Sequence, residues 1–255
     1  MKSVLPILFL NALLVTALFA KKEPSATEAW RSLLKERPDC VTWVSATLKV
    51  EINSGGRSYP PREEKLEALG TVLSAEGLVT LSLSKVDPTA SILSRMRSPG
   101  STVNVNYSEV NVLMPDGSEV PARLILKDSD LDLAFLLPLT GKNEGGDEVT
   151  FQPVPEAASS ARVEPLDEVV TFGKLSRNLY RQSSLLPGRV NAVIRKPRDY
   201  YVVDRSVPGS PVFDAAGKWL GVCVYKMASG RPTTLVTLPA ADILEIAEQA
   251  KERSR

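Results

Sequence analysis

The chain has 255 residues, with 31 Lys and Arg, 30 Asp and Glu, and no histidine. Because imidazole is the side chain that titrates near neutral pH, this composition excludes Ser/His/Asp and Cys/His catalysis and histidine-ligated metals. Two cysteines are too few for a structural zinc site. The near-zero net charge argues against a nucleic-acid surface. We therefore expect a globular protein without cofactor, metal or nucleic-acid partner.

Residues 1–20 have the pattern of a secretory signal peptide, with a basic start, an apolar run from Val4 to Ala20 and small residues at its end. The run is short for a membrane span, which needs about 20 apolar residues. Lys21 and Lys22 follow it directly, which leaves an uncleaved N-terminal anchor open. Both interpretations predict an exported protein, periplasmic or secreted, that is either free or tethered by its N-terminal segment.

The two cysteines, Cys40 and Cys223, both lie in apolar, strand-like runs. An oxidising compartment would permit a disulfide between them. Two separate buried thiols fit the same pattern, and the sequence leaves both open.

The first half of the body reads as one helix followed by short strands. Residues 21–37 predict an N-terminal helix that begins after a Ser25 cap and ends before Pro38. Residues 38–140 then show alternating or short apolar runs separated by turn signals, which predict a first barrel. The expected strands are 41–52, 69–73, 77–83, 102–107, 109–114, 120–126 and 131–137.

A second barrel is predicted after residues 141–165, whose Gly, Pro, Glu and Ser content is typical of a linker. The expected strands within residues 166–255 are 168–172, 183–186, 188–194, 200–203, 211–214, 219–225 and 233–238. Apolar residues at helical spacing from residue 240 onward predict a closing C-terminal helix. The predicted fold class is all-β, with two barrels and two terminal helices.

The order of these elements and several motifs resemble the trypsin-like double β-barrel of the HtrA/Deg serine proteases. Residues 70–79 (GTVLSAEGLV) are similar to the hairpin that leads to the catalytic histidine of that family. Residues 112–122 and 130–136 (DLDLAFL) resemble the segment that carries the catalytic aspartate. Further similar segments of the second barrel are 167–173, 187–191, 208–222 and 238–241.

The resemblance implies a catalytic triad in which only the aspartate is present. The histidine position falls on Ser84, the aspartate position on Asp132, and the nucleophile position on Pro208. An aspartate at this place orients an imidazole. Since no imidazole is present, we expect Asp132 to be a solvated or strand-capping carboxylate.

Proline at the nucleophile position removes two functional groups at once. It has no hydroxyl, and it lacks the backbone N–H that this loop gives to the oxyanion hole. One such donor is worth about 2.7–4 kcal/mol of transition-state stabilisation. The resemblance with these changes implies a catalytically inactive homologue.

Such a homologue keeps a cleft in which an extended peptide or protein segment can add as a strand. We expect the contacts to come from Gly209, Ser210 and the strand edge with Val222, Val224, Tyr225 and Lys226. Two alternatives stay open. One is an active endopeptidase that uses Ser206 or Ser210 with Lys85 or Lys226 as base, and the other is a purely structural envelope protein. The sequence predicts neither the oligomeric state nor the identity of the ligand.

Overall fold

The computed structural model describes residues 25–96, 99–155, 157 and 163–254. The predicted signal peptide, residues 1–20, lies outside the described residues. The helices are α1 (Ala26–Glu36), α2 (Thr89–Arg95) and α3 (Ala240–Ser254). The strands of the first half are β1 (Val41–Ser54), β2 (Arg57–Val72), β3 (Val79–Ser82), β4 (Thr102–Leu113), β5 (Glu119–Asp128) and β6 (Leu133–Pro138). Those of the second half are β7 (Glu168–Lys174), β8 (Ser183–Ile194), β9 (Tyr200–Val203), β10 (Pro211–Asp214), β11 (Trp219–Ala228) and β12 (Arg231–Pro239).

The strands form two closed antiparallel barrels of six strands each. The first has the order β1-β2-β3-β6-β5-β4, and the second has the order β10-β11-β12-β9-β8-β7. Closing a sheet on itself pairs its edge strands, so each barrel buries one face of every strand. The predicted all-β double barrel with terminal helices is confirmed.

A large apolar core joins the two barrels. Leu133 and Phe135 of the first barrel belong to the same buried cluster as Phe172, Phe213 and Val222 of the second. Helix α3 contacts β5, β11 and β12 and so touches both barrels. Burial of so much apolar surface fixes the position of one barrel against the other.

Helix α1 begins at a complete capping box. The Ser25 backbone N–H donates to Glu28 at 2.8 Å, and the Glu28 N–H donates to the Ser25 hydroxyl at 3.4 Å. These bonds satisfy two of the donors that a helix start leaves open. Trp30 is buried on the inner face and donates its indole N–H to the Asp214 carbonyl at 2.8 Å. The helix is thereby attached to the second barrel.

Several predicted strand boundaries differ from the structure. Strand β2 begins at Arg57 instead of residue 69, because its outer half is exposed and contains Pro60 and Pro61, which hide a strand pattern. The runs 102–107 and 109–114 form the single strand β4, which accommodates its break as a bulge. Likewise, Pro187 pairs with Val170 and does not interrupt β8.

Helix α2 was not expected from the sequence. It has seven residues, and none of them is fully buried, so it carries no apolar periodicity to detect. Within residues 25–254, no described helix combines the length and apolar character of a membrane span.

Candidate functional site

The three triad positions lie on short segments next to the interface between the barrels. Ser84 is in a 3-10 turn that follows β3, and Asp132 directly precedes β6. Pro208 lies in the loop between β9 and β10 of the second barrel. The fold thus provides each segment that the resemblance requires, and the residues on them decide the chemistry.

Asp132 is the most heavily bonded side chain of this region. Its Oδ1 accepts the Ser84 backbone N–H at 2.7 Å and the Ser84 hydroxyl at 2.6 Å. Its Oδ2 accepts the Ser82 hydroxyl at 2.5 Å and the backbone N–H of Tyr225 at 2.8 Å. The residue is 1% exposed. Of the two expectations, a solvated carboxylate is wrong, because four donors take the place of water. The carboxylate instead caps the backbone N–H groups of Ser84 and Tyr225.

The backbone at Asp132 is also unusual. Its φ is +57°, in the left-handed region that aspartate tolerates better than most residues. This conformation allows the carbonyl to accept the Leu83 N–H at 2.9 Å while the carboxylate reaches Ser84. The bond from Tyr225 comes from β11 of the second barrel, so Asp132 links the barrels through a buried, charge-assisted contact.

The loop that contains Pro208 packs tightly against β2 of the first barrel. Gly209 has a φ of +84°, and a Cβ added there would lie 1.9 Å from the Leu69 carbonyl oxygen. The Gly209 carbonyl accepts the Thr71 hydroxyl at 2.8 Å. Only glycine permits this approach of two backbones, which brings the loop into direct contact with the opposite barrel.

The backbone N–H groups of this loop are largely used within the second barrel. The Gly209 N–H donates to the Cys223 carbonyl at 2.8 Å, and the Ser210 N–H donates to the Val207 carbonyl at 3.1 Å. Pro208 has no N–H at all. A developing oxyanion beside residue 208 would therefore find no donor on these three residues.

The alternative nucleophiles are not positioned beside a base. Ser206 donates its hydroxyl to the Val203 carbonyl at 3.0 Å. Ser210 is fully buried, and its hydroxyl has no hydrogen-bond partner among the described residues. Lys85 is exposed, and the Lys226 ammonium lies 5.0 Å above the ring of Tyr200. Among the described residues, neither lysine amine forms a hydrogen bond with Ser206 or Ser210.

The expected binding edge of β11 is open over only part of its length. Val222 pairs with Pro211 of β10. The N–H of Cys223 donates to the Ser210 carbonyl at 2.9 Å, and that of Tyr225 is bonded to Asp132. In a strand, the backbone groups of alternate residues point to the same edge. The Tyr225 carbonyl therefore lies on the same edge as the N–H groups of Cys223 and Tyr225. Available backbone on this edge therefore begins at the Tyr225 carbonyl.

The side chains expected to bind have different exposures. Val222 and Val224 are buried in the core between the barrels, as are Gly209 and Ser210 in the loop. Tyr225 and Lys226 are half-buried. Of the six predicted contact residues, only these two offer side-chain surface to a ligand.

The sequence analysis did not predict that a cluster of polar side chains lies in the interior of the second barrel. Cys223 is completely buried, and its thiol lies 3.9 Å from the hydroxyl of Thr237. Burial raises the pKa of the Cys223 thiol, and the nearby hydroxyls only partly oppose this shift. Thr171 is also buried there, with a hydroxyl that has no partner within the described part of the chain. Alternating apolar neighbours on these strands hide the group in the sequence.

Cys40 and Cys223 are separate buried thiols. Burial raises the pKa of Cys40 to about 12, against the smaller opposing effect of Lys174. Such thiols are poor nucleophiles because the thiolate is the reactive form.

One group of acidic residues has the spacing to hold a cation, and it lies on the first barrel away from the triad positions in sequence. The carboxylates of Glu109, Glu119 and Glu144 lie within 4.8 Å of one another. Surface carboxylates often cluster without a metal, so this group alone does not make a metal site.

Comparison with known proteins supports the same family. A family model described as a trypsin-like peptidase domain matches residues 68–222, more than half of the chain. Among functionally curated proteins, none matches the sequence. The solved structures that match include an HtrA-type protease, AlgW, with a tripeptide. It is 17% identical, with a TM-score of 0.55, and the match covers 89% of this chain and 63% of that chain, so the likeness concerns the fold alone. The family match and the two barrels agree, and the chain belongs to the trypsin-like peptidase domain family.

Proposed function

We propose that this protein is an exported, catalytically inactive member of its family that binds extended peptide or protein segments. The observation that carries the proposal is the state of Asp132. In an active enzyme this carboxylate orients an imidazole, whereas here Ser82, Ser84 and Tyr225 occupy both of its oxygens.

Three further features support the loss of catalysis. Serine stands at the base position and proline at the nucleophile position, so neither proton abstraction nor attack has a side chain to perform it. The N–H groups of Gly209 and Ser210 are bonded within the protein. In the described part of the chain, no lysine amine lies within hydrogen-bonding distance of Ser206 or Ser210.

Binding is supported by the edge of β11 beyond its contact with Asp132. The Tyr225 carbonyl lies on the same edge as its own N–H, which is bonded to Asp132, and β11 continues through Lys226 to Ala228. An added strand gains backbone hydrogen bonds without any catalytic group. The similar HtrA-type protease structure contains a tripeptide, and for the present chain peptide binding is our proposal.

A two-part experiment with one substrate tests this function. Fluorescein-labelled casein is an unfolded chain, so its cleavage and its binding can be measured in the same samples. We expect no cleavage products and no labelling by a fluorophosphonate probe. We expect saturable binding by anisotropy, with slowed amide exchange at residues 225–228. Serine labelling that Ser206→Ala or Ser210→Ala abolishes would refute the inactive assignment.

A matched pair of variants locates the binding site. Pro208→Tyr enlarges a half-buried side chain in the loop that contacts the first barrel through Gly209, and we expect it to weaken casein binding at least tenfold. Pro60→Tyr makes the same change on the exposed half of β2 and should leave binding within twofold. Equal effects of the two variants would contradict binding in the cleft.

Export is a separate part of the proposal and has its own test. Expression of the full chain with a C-terminal tag should yield the protein outside the cytoplasm. The mass of its N-terminal peptide distinguishes cleavage near residues 17–20 from an uncleaved anchor. Retention of the full-length protein in the cytoplasm would refute export.

A further inference from the structure

Strands β4 and β5 close the first barrel over only a short distance. They pair from Asn111 with Pro121 to Leu113 with Glu119. Pro121 has no N–H to donate, so it is a natural end for a ladder. Beyond it, β5 continues to Asp128 paired with β6, and β4 extends back to Thr102 paired with β1. In the described chain, neither of these two extensions has a strand on its facing side.

The two separated strands enclose a cavity of about 580 Å³. Residues 105–111 of β4 form one wall, and residues 121–124 together with Lys127 of β5 form the other. Leu139 lies at the cavity and is 59% exposed, which is unusual for a side chain of its size. The cavity is therefore bounded by backbone edges and has apolar surface at its rim.

The side chains of Tyr107 and Lys127, which both line the cavity, bridge the two strands across it. Asp87 accepts the Tyr107 hydroxyl and the Lys127 ammonium, each at 3.0 Å. The same ammonium lies 4.5 Å above the Tyr107 ring. The separation of β4 from β5 is thus held in place by a bonded side-chain bridge.

The free edge of β4 differs from the free edge of β2. The outer half of β2 contains Pro60 and Pro61, and proline hinders the addition of another strand. Residues 102–108 of β4 contain no proline and alternate between polar side chains and valine or tyrosine, up to the bulge at Ser108. The β4 edge is therefore competent to accept a strand, and about six residues along the cavity give it a length of about 20 Å.

The charge at one end of the cavity indicates what such a strand should carry. Glu109, which lines the cavity, has its carboxylate within 4.8 Å of those of Glu119 and Glu144. The amide of Asn111 donates to Glu109 at 2.8 Å and to Glu119 at 2.7 Å, but it is neutral. Three carboxylates at this spacing repel one another and favour a cationic side chain between them.

We propose that the β4 edge binds an extended segment of a partner protein that has alternating apolar residues and a lysine or arginine. The backbone of the segment pairs with residues 105–110, its apolar side chains cover Leu139, and its basic side chain meets Glu109, Glu119 and Glu144. This site lies on the first barrel alone and is independent of the cleft that contains Pro208.

The probe for this site is a fluorescein-labelled nine-residue peptide of alternating threonine and valine with a central arginine. Its binding is measured by anisotropy, and the bound region by hydrogen–deuterium exchange. We expect saturable binding with at least tenfold slower exchange in residues 105–110. A peptide with glutamate in place of the arginine should bind at least tenfold more weakly.

Matched charge reversals test the role of the carboxylates. Glu109→Lys should weaken binding of the arginine peptide at least tenfold, whereas Glu63→Lys, on the exposed half of β2, should leave it within twofold. Leu139→Ser should weaken binding without touching the carboxylates. Pro208→Tyr should have no effect on this peptide, which separates this site from the proposed function.

Several results would overturn the proposal. The proposal that a basic partner segment binds here would be refuted if the peptide showed no saturable binding, or if the arginine and glutamate peptides bound equally well. Protection confined to residues 225–228 would assign the peptide to the cleft. Micromolar dimerisation in sedimentation experiments, with protection of residues 105–110 in the dimer, would show that a second copy of this chain occupies the edge.

Discussion

Replacement of Asp132 by asparagine tests whether this carboxylate holds the two barrels together. Asparagine keeps the size and shape of the side chain and tolerates the φ of +57° equally well. It changes only the charge and one of the two acceptor groups. Any loss of stability therefore reports on the hydrogen bonds and not on backbone strain.

The magnitude follows from the four donors. The hydroxyls of Ser82 and Ser84 can rotate and adapt to an amide. The two backbone N–H groups cannot, and they lie on different oxygens, since Ser84 donates to Oδ1 and Tyr225 to Oδ2. In either orientation the new NH₂ group faces one of them. One lost bond to a charged acceptor and one buried N–H without a partner cost about 2–4 kcal/mol.

The assay is thermal and urea unfolding of the purified variants. For a chain of this size, 2–4 kcal/mol lowers the Tm by roughly 4–16 °C. Asp132→Ala should lose at least about 2 kcal/mol more than Asp132→Asn, because alanine leaves all four donors without their acceptor and also disfavours the left-handed backbone. Asp130→Asn, a change at an exposed neighbour, is the control and should alter stability by less than about 0.5 kcal/mol. If Asp132→Asn behaves like this control, the carboxylate does not link the barrels.

Three further predictions concern other parts of the structure. Gly209→Ala should cost more than about 3 kcal/mol in urea unfolding, because its Cβ would lie 1.9 Å from the Leu69 carbonyl oxygen, and a loss below 1 kcal/mol would show that the loop can move away. Cys40 and Cys223 should both react with a thiol reagent in guanidinium, and neither should react in the native protein. The stability that results from the raised pKa of Cys40 should be present below about pH 8.5 and decrease as the pH rises toward 12. Burial alone would raise the pKa of Asp87, but hydrogen bonds from Thr89 and Lys127 lower it, so its contribution to stability should be present above about pH 3.9 and be lost as the pH falls below that value. Asp87→Asn should flatten acid unfolding curves below about pH 3.9, and an unchanged curve would refute this.

The sequence predicted those parts of the fold that local patterns determine. Alternating apolar residues in β1 and the capping residues Ser25 and Glu28 depend only on near neighbours, and the structure has both. The outer half of β2 was missed because its exposed residues and two prolines carry no such pattern. Helix α2 was missed for the same reason, since it has no buried stripe.

The sequence predicted where the candidate site lies, but it did not predict the hydrogen bonds that its residues form. The motif around residues 130–136 identified Asp132, yet the donor from Tyr225 lies 93 residues away along the chain. Such a hydrogen bond depends on how the two barrels pack against each other, and the spacing of residues along the sequence does not reveal this packing. The partly covered edge of β11 was not predictable for the same reason. Gly209 and Ser210 bond to Cys223 only after their loop has folded against β11.

Pro208 and Asp132, the residues assigned to the nucleophile and aspartate positions of the triad, differ in what holds them. Pro208 has no N–H to donate, and its neighbours Gly209 and Ser210 maintain the loop through their own N–H groups. Asp132, in contrast, has four donors that would lose their acceptor together. Replacement of Pro208 thus removes no N–H donor, whereas replacement of Asp132 leaves four donors without their acceptor at the junction of both barrels. These contacts give Asp132 a structural role that requires no catalysis, so its presence alone is no sign of an enzyme.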